Sequence, residues 1–136
     1  MPIDQTLAII KPDAVERFLT GPIIEMIEIN EFEIFKIRTL TLSKEAAGAF
    51  YAVHKERPFF NDLVEFMSSG PIVVLALNGG VATVGMWRDL VGDTDPAEAD
   101  HATIRGRFGR SINRNVVHGS DSDENAAIEI EFFFGK

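Results

Sequence analysis

Apolar residues in this chain fall into short runs, each with a readable period and each closed by proline, glycine or a polar cap. Gln5–Ile10 is a compact apolar run that Pro12 interrupts, which predicts a short buried strand. Thr20 stands as a helix cap with Pro22 in the first turn, and Ile23, Ile24, Met26 and Ile27 give that helix an apolar side. Residues 32–42 set Phe32, Ile34 and the leucines against Glu33, Lys36, Arg38 and Thr41, predicting a strand with one wetter face. Phe35 and Ile37 break its alternation near the middle. Ser43 opens an alanine-rich helix, and Phe59, Phe60, Leu63, Val64 and Met67 follow at helical spacing. Residues 71–77 are continuously apolar and predict a strand buried on both faces. Residues 81–92 predict a helix weakened by Gly85, and a long polar connection follows. Residues 115–118 predict the last strand, and Ser122 caps the C-terminal helix. The order β-α-β-α-α-β-α-β-α predicts an α+β, ferredoxin-like sandwich: one four-stranded antiparallel sheet covered by helices.

Composition narrows the picture. The 136 residues suit a single domain, residues 1–136, with no repeat or linker. There is no cysteine, so disulfides and thiolate metal sites are excluded. The N-terminus lacks a basic segment leading into a long apolar run, and no stretch reaches membrane-spanning length. A soluble, cytoplasmic protein with no membrane association is expected. A net charge of −8 disfavours nucleic acid as a partner and makes the placement of the few cations informative.

Those cations gather. Arg105, Arg107, Arg110 and Arg114 precede His118, Arg88 lies upstream, and Lys11 directly follows the first strand. Guanidinium forks match phosphate geometry, so the cluster reads either as a phosphate site or as a solvated face balanced by Asp93, Asp95, Glu98 and Asp100. His118 sits where a strand hands over to a helix, and Gly119 behind it reads as a position of unusual backbone freedom. It either points a rigid imidazole outward or merely closes the strand on a carbonyl. No P-loop, dinucleotide fingerprint, zinc motif or serine-hydrolase elbow is present.

Four stretches taken together resemble the nucleoside diphosphate kinase family: "AIIKPDAV", "HKERPFFNDLVEFMSSGPIVV", "GDTDPAEAD" with "TIRGRFG", and "NVVHGSDS". They stand in family order across essentially the whole chain. The resemblance implies transfer of the γ-phosphate of a nucleoside triphosphate, typically ATP, to a nucleoside diphosphate through a phosphohistidine. His118 matches the nucleophile, Glu129 the carboxylate that orients it, and Ser120 the hydroxyl that holds that carboxylate. Lys11, Arg88, Thr94 and Arg105 match the phosphate contacts, and Tyr51 a tyrosine beside the transferred group. Asn115, with Lys11, matches the sugar contact. Phe59 matches the residue that stacks on the base, with Ile112 on the other face, and a stacked base that nothing interrogates implies broad tolerance. The family also implies Mg²⁺ carried on the phosphates with no direct protein ligand, Asp121 assisting through water. It further implies nucleoside tri- and diphosphates as partners, a homo-oligomer built on dimers (dimer, tetramer or hexamer), and a role in maintaining triphosphate pools. The alternative is a catalytically impaired member kept as a regulatory protein-binding module.

Two departures stand out. The segment from Asn78 to Arg88 is about one residue longer than the family pattern and carries the unusual Met86-Trp87 pair, which bears on Arg88. Ala102 stands where family members have glycine, in a loop tied to subunit contacts. Of the three consecutive phenylalanines near the C-terminus, at least one must stay outside the core of this chain.

Overall fold

A computed structural model describes residues 4–135. Strand β1 (Gln5–Ile10) sends Leu7 and Ile9 to one face and Ala8 and Ile10 to the other, so it is buried on both. Helix α1 (Pro12–Glu16) follows at once: Pro12 ends the strand by opening a helix, its missing N–H costing nothing in a first turn. Helix α2 (Thr20–Ile29) buries Ile23, Met26 and Ile27. Thr20 is its first residue and not its cap; Leu19 holds the cap position, without a side-chain hydrogen bond.

Strand β2 (Glu33–Leu40) pairs antiparallel with β3 (Ile72–Asn78), the central apolar strand, all but the last residue of which is fully buried. Ile34 faces Leu77, but Lys36, not Phe35, faces Ala76. This bulge at Phe35 accounts for the broken alternation, and beyond it Leu40 joins Phe35 on the face opposite Ile34. Between these strands lie α3 (Lys44–Phe50), capped by the Ser43 hydroxyl, a 3₁₀ turn (Ala52–His54) and α4 (Phe60–Met67).

After β3 come α5 (Thr83–Val91), the short α6 (Ile104–Phe108), β4 (Val117–Gly119) and α7 (Asp123–Phe134). The sheet order β2-β3-β1-β4, antiparallel throughout, is that of a ferredoxin-like fold. One face is packed by α1, α2, α5 and α6 around Trp87, Ile23 and Ile104, the other by α3, α4 and α7 around Met67, Ile130 and Phe133.

Two short helices, α1 and α6, lie where sequence periodicity showed none, because each is a single turn and a half. The connection before β4 is therefore partly ordered: Thr103 caps α6 by accepting from the Gly106 N–H, and its hydroxyl donates to the Asp100 carbonyl at 2.6 Å. Residues 78–82 form a turn with Gly80 and Ala82 in the left-handed region. Asp4 Oδ1 then accepts from the Thr83 N–H at 3.0 Å and fixes the start of α5. Of the three phenylalanines, Phe133 is buried and Phe132 is 42% exposed.

Ser122 caps α7, accepting from the Asn125 N–H at 3.1 Å, with Asp123 and Glu124 in the first turn. Ser122→Ala is expected to lower stability by about 1 kcal/mol, read as a shift of the urea midpoint.

Candidate active site

Strand β4 is three residues long and lies at the sheet edge, paired with β1 alone. It is reached through Val116, whose φ of +68° is rare for a β-branched residue and costs on the order of 1–3 kcal/mol. The predicted strand at 115–118 thus begins two residues later than expected, and Val116 is its strained entry rather than part of it.

His118 comes next. Its Nε2 lies 2.8 Å from Glu129 Oε1 on α7, and the Ser120 hydroxyl donates to the same oxygen at 2.9 Å. Ser120 also accepts from the Leu7 N–H at 3.2 Å, which anchors the group to β1. A carboxylate only accepts, so Nε2 carries the proton of this contact, and in the neutral ring the lone pair is then on Nδ1. The edges of Phe50 and Tyr51 pack on the imidazole with centroids 5.5 and 6.4 Å away.

Gly119 does not adopt a positive φ, contrary to the sequence expectation. It is glycine for lack of space: a Cβ there would lie 2.7 Å from Trp87 Cδ1. The Trp87 indole N–H donates to the His118 carbonyl at 3.1 Å.

Beside β4 opens a cleft of about 290 Å³ lined by Arg88, Gly92, Asp93, Thr94, Arg105 and Gly119. Arg88, on which the departure between Asn78 and Arg88 bears, lines this cleft. Arg105 donates to the carbonyls of Gly92 (3.2 Å) and Val117 (3.0 Å), while its buried Nε has no protein partner among the described residues. Burial, and then the charge of Arg88, lower its pKa to about 10, so it stays charged at neutral pH.

Lys11, at the N-terminus of α1, donates to Asn115 Oδ1 at 2.9 Å, and Asn115 in turn donates to the Thr94 carbonyl at 3.2 Å. Burial, with Arg105 nearby, lowers the Lys11 pKa to about 8. Asp13, a residue that sequence reasoning passed over, is buried, and burial raises its pKa.

Tyr51 is buried with its hydroxyl unpartnered among the described residues, and burial pushes its pKa up. Phe59 at the cap of α4 and Ile112 in the turn before β4 are 45% and 56% exposed, on separate segments. His54 stacks on Tyr51 and tilts against Phe59, centroids 6.5 and 5.5 Å apart. Asp121 is exposed, and its hydrogen bond from Asn125 lowers its pKa. No cluster of three or more metal-ligating side chains exists among the described residues.

The structure thus joins His118, Glu129 and Ser120 in one hydrogen-bonded group, Lys11, Asn115 and Thr94 in a second, and Arg88, Thr94 and Arg105 around one cleft. The first group and the cleft meet at strand β4, where Gly119, the neighbour of His118, lines the cleft.

The family model described as nucleoside diphosphate kinase matches residues 4–136. A nucleoside diphosphate kinase of Geotalea uraniireducens is 54% identical over 134 residues, covering 98% of this chain and 97% of its own. One from Campylobacter jejuni is 57% identical over 132 residues, covering 97% and 96%. Among solved structures, the Aquifex aeolicus nucleoside diphosphate kinase superposes with a TM-score of 0.94 at 43% identity, covering 98% of this chain and 96% of that one. The Encephalitozoon cuniculi enzyme gives the same TM-score at 34% identity, covering 98% and 90%. With the site geometry and these likenesses in agreement, the chain belongs to the nucleoside diphosphate kinase family of phosphotransferases.

Proposed function

We propose that this chain, working as one domain over residues 1–136, transfers the γ-phosphate of a nucleoside triphosphate to a nucleoside diphosphate through a phosphohistidine on His118. The observation that carries the reading is the hydrogen bond of His118 Nε2 to Glu129 beside a cleft of arginines. Nδ1 attacks the γ-phosphorus, the bond from phosphorus to the β–γ bridging oxygen breaks, and the diphosphate leaves with that oxygen. An acceptor diphosphate then reverses the step, restoring the free imidazole. As positive charge develops on the ring, Glu129 stabilises it, and Ser120 keeps Glu129 in place.

Catalysis of phosphoryl transfer is largely positioning and charge neutralisation. Arg88, Thr94 and Arg105 would hold the phosphates, Tyr51 would offer its unpartnered hydroxyl to the migrating group, and Lys11 and Asn115 would bind the sugar and phosphate. Phe59 and Ile112 would cover the base without reading its edges, giving broad tolerance. The residues present fit Mg²⁺ only as a passenger on the nucleotide, since a hard cation needs oxygen ligands and no protein cage exists among the described residues. Mg²⁺ so bound would neutralise phosphate charge, with ionised Asp121 holding a water of its shell.

In the cell this activity would maintain triphosphate pools in the cytoplasm; no helix among the described residues is long and apolar enough to cross a membrane. We also propose a homo-oligomer built on dimers. β2 forms an outer sheet edge and exposes Ile37, a surface that a second copy would cover. The binding-module reading is not favoured, because no position of the proposed machinery is lost.

Intact-protein mass spectrometry tests the reading: Mg-ATP is expected to add one acid-labile phosphate, which GDP removes. A folded protein that takes up none would refute it. Lys11 supplies a second check. A bound phosphate favours its charged form, so nucleotide binding near pH 8 is expected to take up part of a proton, and affinity should fall as pH rises through about 8. Calorimetry in buffers of differing ionisation enthalpy measures that uptake.

A further inference from the structure

Two side chains hold the main chain around the proposed nucleophile: Arg105 the Val117 carbonyl and Trp87 the His118 carbonyl. The Ser120 hydroxyl takes the Leu7 N–H of the adjoining strand. The kinase reading already uses Arg105 and Ser120. Trp87 has no task in it.

Trp87 is the one tryptophan of the chain and is completely buried. Its ring meets Phe32 edge-on, with centroids 5.8 Å apart, inside the core beneath the sheet. As pure filling, that site would be served by an all-apolar side chain, since a buried N–H is costly unless it finds an acceptor. Here the acceptor is the carbonyl of His118 itself, at 3.1 Å. The indole also lies against residue 119 so closely that a Cβ there would come within 2.9 Å of Nε1. Strand β4, three residues long and at the edge, offers few ladder bonds to hold this backbone. The next residue of α5 is Arg88, which lines the cleft.

We propose that Trp87 is a positioning residue for phosphoryl transfer: through its indole N–H it locks the main chain of His118 to the helix that carries Arg88. The proposal rests on the kinase reading above. With the lock in place, the spacing between the attacking nitrogen and a phosphate-binding arginine is set by one rigid helix instead of a frayed strand edge. Displacements of about an ångström at such distances can cost a hundredfold in rate.

Trp87→Phe keeps an aromatic ring in the core and removes the donor. In single-turnover phosphorylation by Mg-ATP, the plateau rate is expected to fall about tenfold, while the half-saturating ATP concentration stays within twofold. A folded variant whose plateau rate stays within twofold of the parent overturns the proposal. So does a loss confined to half-saturation, since a core filler has no reason to act on the chemical step alone.

Should Trp87→Phe not fold, the parent protein carries its own probe, because its ¹⁵N spectrum holds a single indole signal. That signal is expected to resist exchange with D₂O and to shift when His118 is phosphorylated. Fast exchange, or a signal that does not move, overturns the proposal. A parent protein that takes no phosphate is seen before any variant is made. That result refutes the kinase reading itself and this proposal with it.

Discussion

His118→Ala is expected to reduce phosphotransfer from ATP to GDP by about 10⁴-fold or more and to abolish the phosphoenzyme peak. The imidazole is the nucleophile of the proposed transfer. Its Nδ1 is the free nitrogen of a ring whose other nitrogen is tied to Glu129, and the neighbouring aromatic rings offer no nucleophile except a buried tyrosine whose pKa is raised. Nucleotide binding should change little, because Arg88, Thr94 and Arg105 line the cleft independently of the imidazole. A folded His118→Ala protein that still acquires acid-labile phosphate at the parental rate would move the nucleophile elsewhere.

The second large effect is expected at Arg105. Its guanidinium lines the cleft and also ties the Gly92 and Val117 carbonyls together, so on the proposed reading it would position the phosphates as well as the backbone before His118. Arg105→Ala should cost roughly 10²–10³-fold in kcat/KM, the scale of losing a preorganised cationic donor. Arg105→Lys should recover less than tenfold of that loss, since one ammonium cannot reach both carbonyls in the fixed geometry of a guanidinium fork. Near-parental activity of Arg105→Lys in steady-state assays would reduce the residue to a simple point charge.

Much of the architecture could be read from local pattern. β1 and β3 announce themselves as short apolar runs, and Ser43 and Ser122 as caps, because these features depend on residues a few positions apart. The misses have the opposite origin. α1 and α6 are too short for periodicity to register, and the left-handed backbone at Val116 contradicts its intrinsic preference and is imposed by its surroundings. Lys11 meets Asn115 across 104 positions, a distance that no spacing rule spans. The candidate site was therefore legible only through resemblance, and the charge cluster alone left a phosphate site and a solvated face equally open. Trp87 looked like a departure from the family pattern; only its contact with the His118 carbonyl gives it a task. At Gly119 sequence suggests backbone freedom, whereas the indole beside it makes the position a matter of space.

The bulge in β2 limits how the gene for such a chain can change. Position 35 can exchange one bulky apolar side chain for another at modest cost, but it cannot be deleted. Losing it would carry Arg38, which donates to the Phe133 carbonyl, and Leu40, which packs in the same cluster, to the opposite side of the sheet. Insertions and deletions among homologous genes are thus expected to collect in turns such as residues 78–82, and the codon for Phe35 should persist even where its identity drifts.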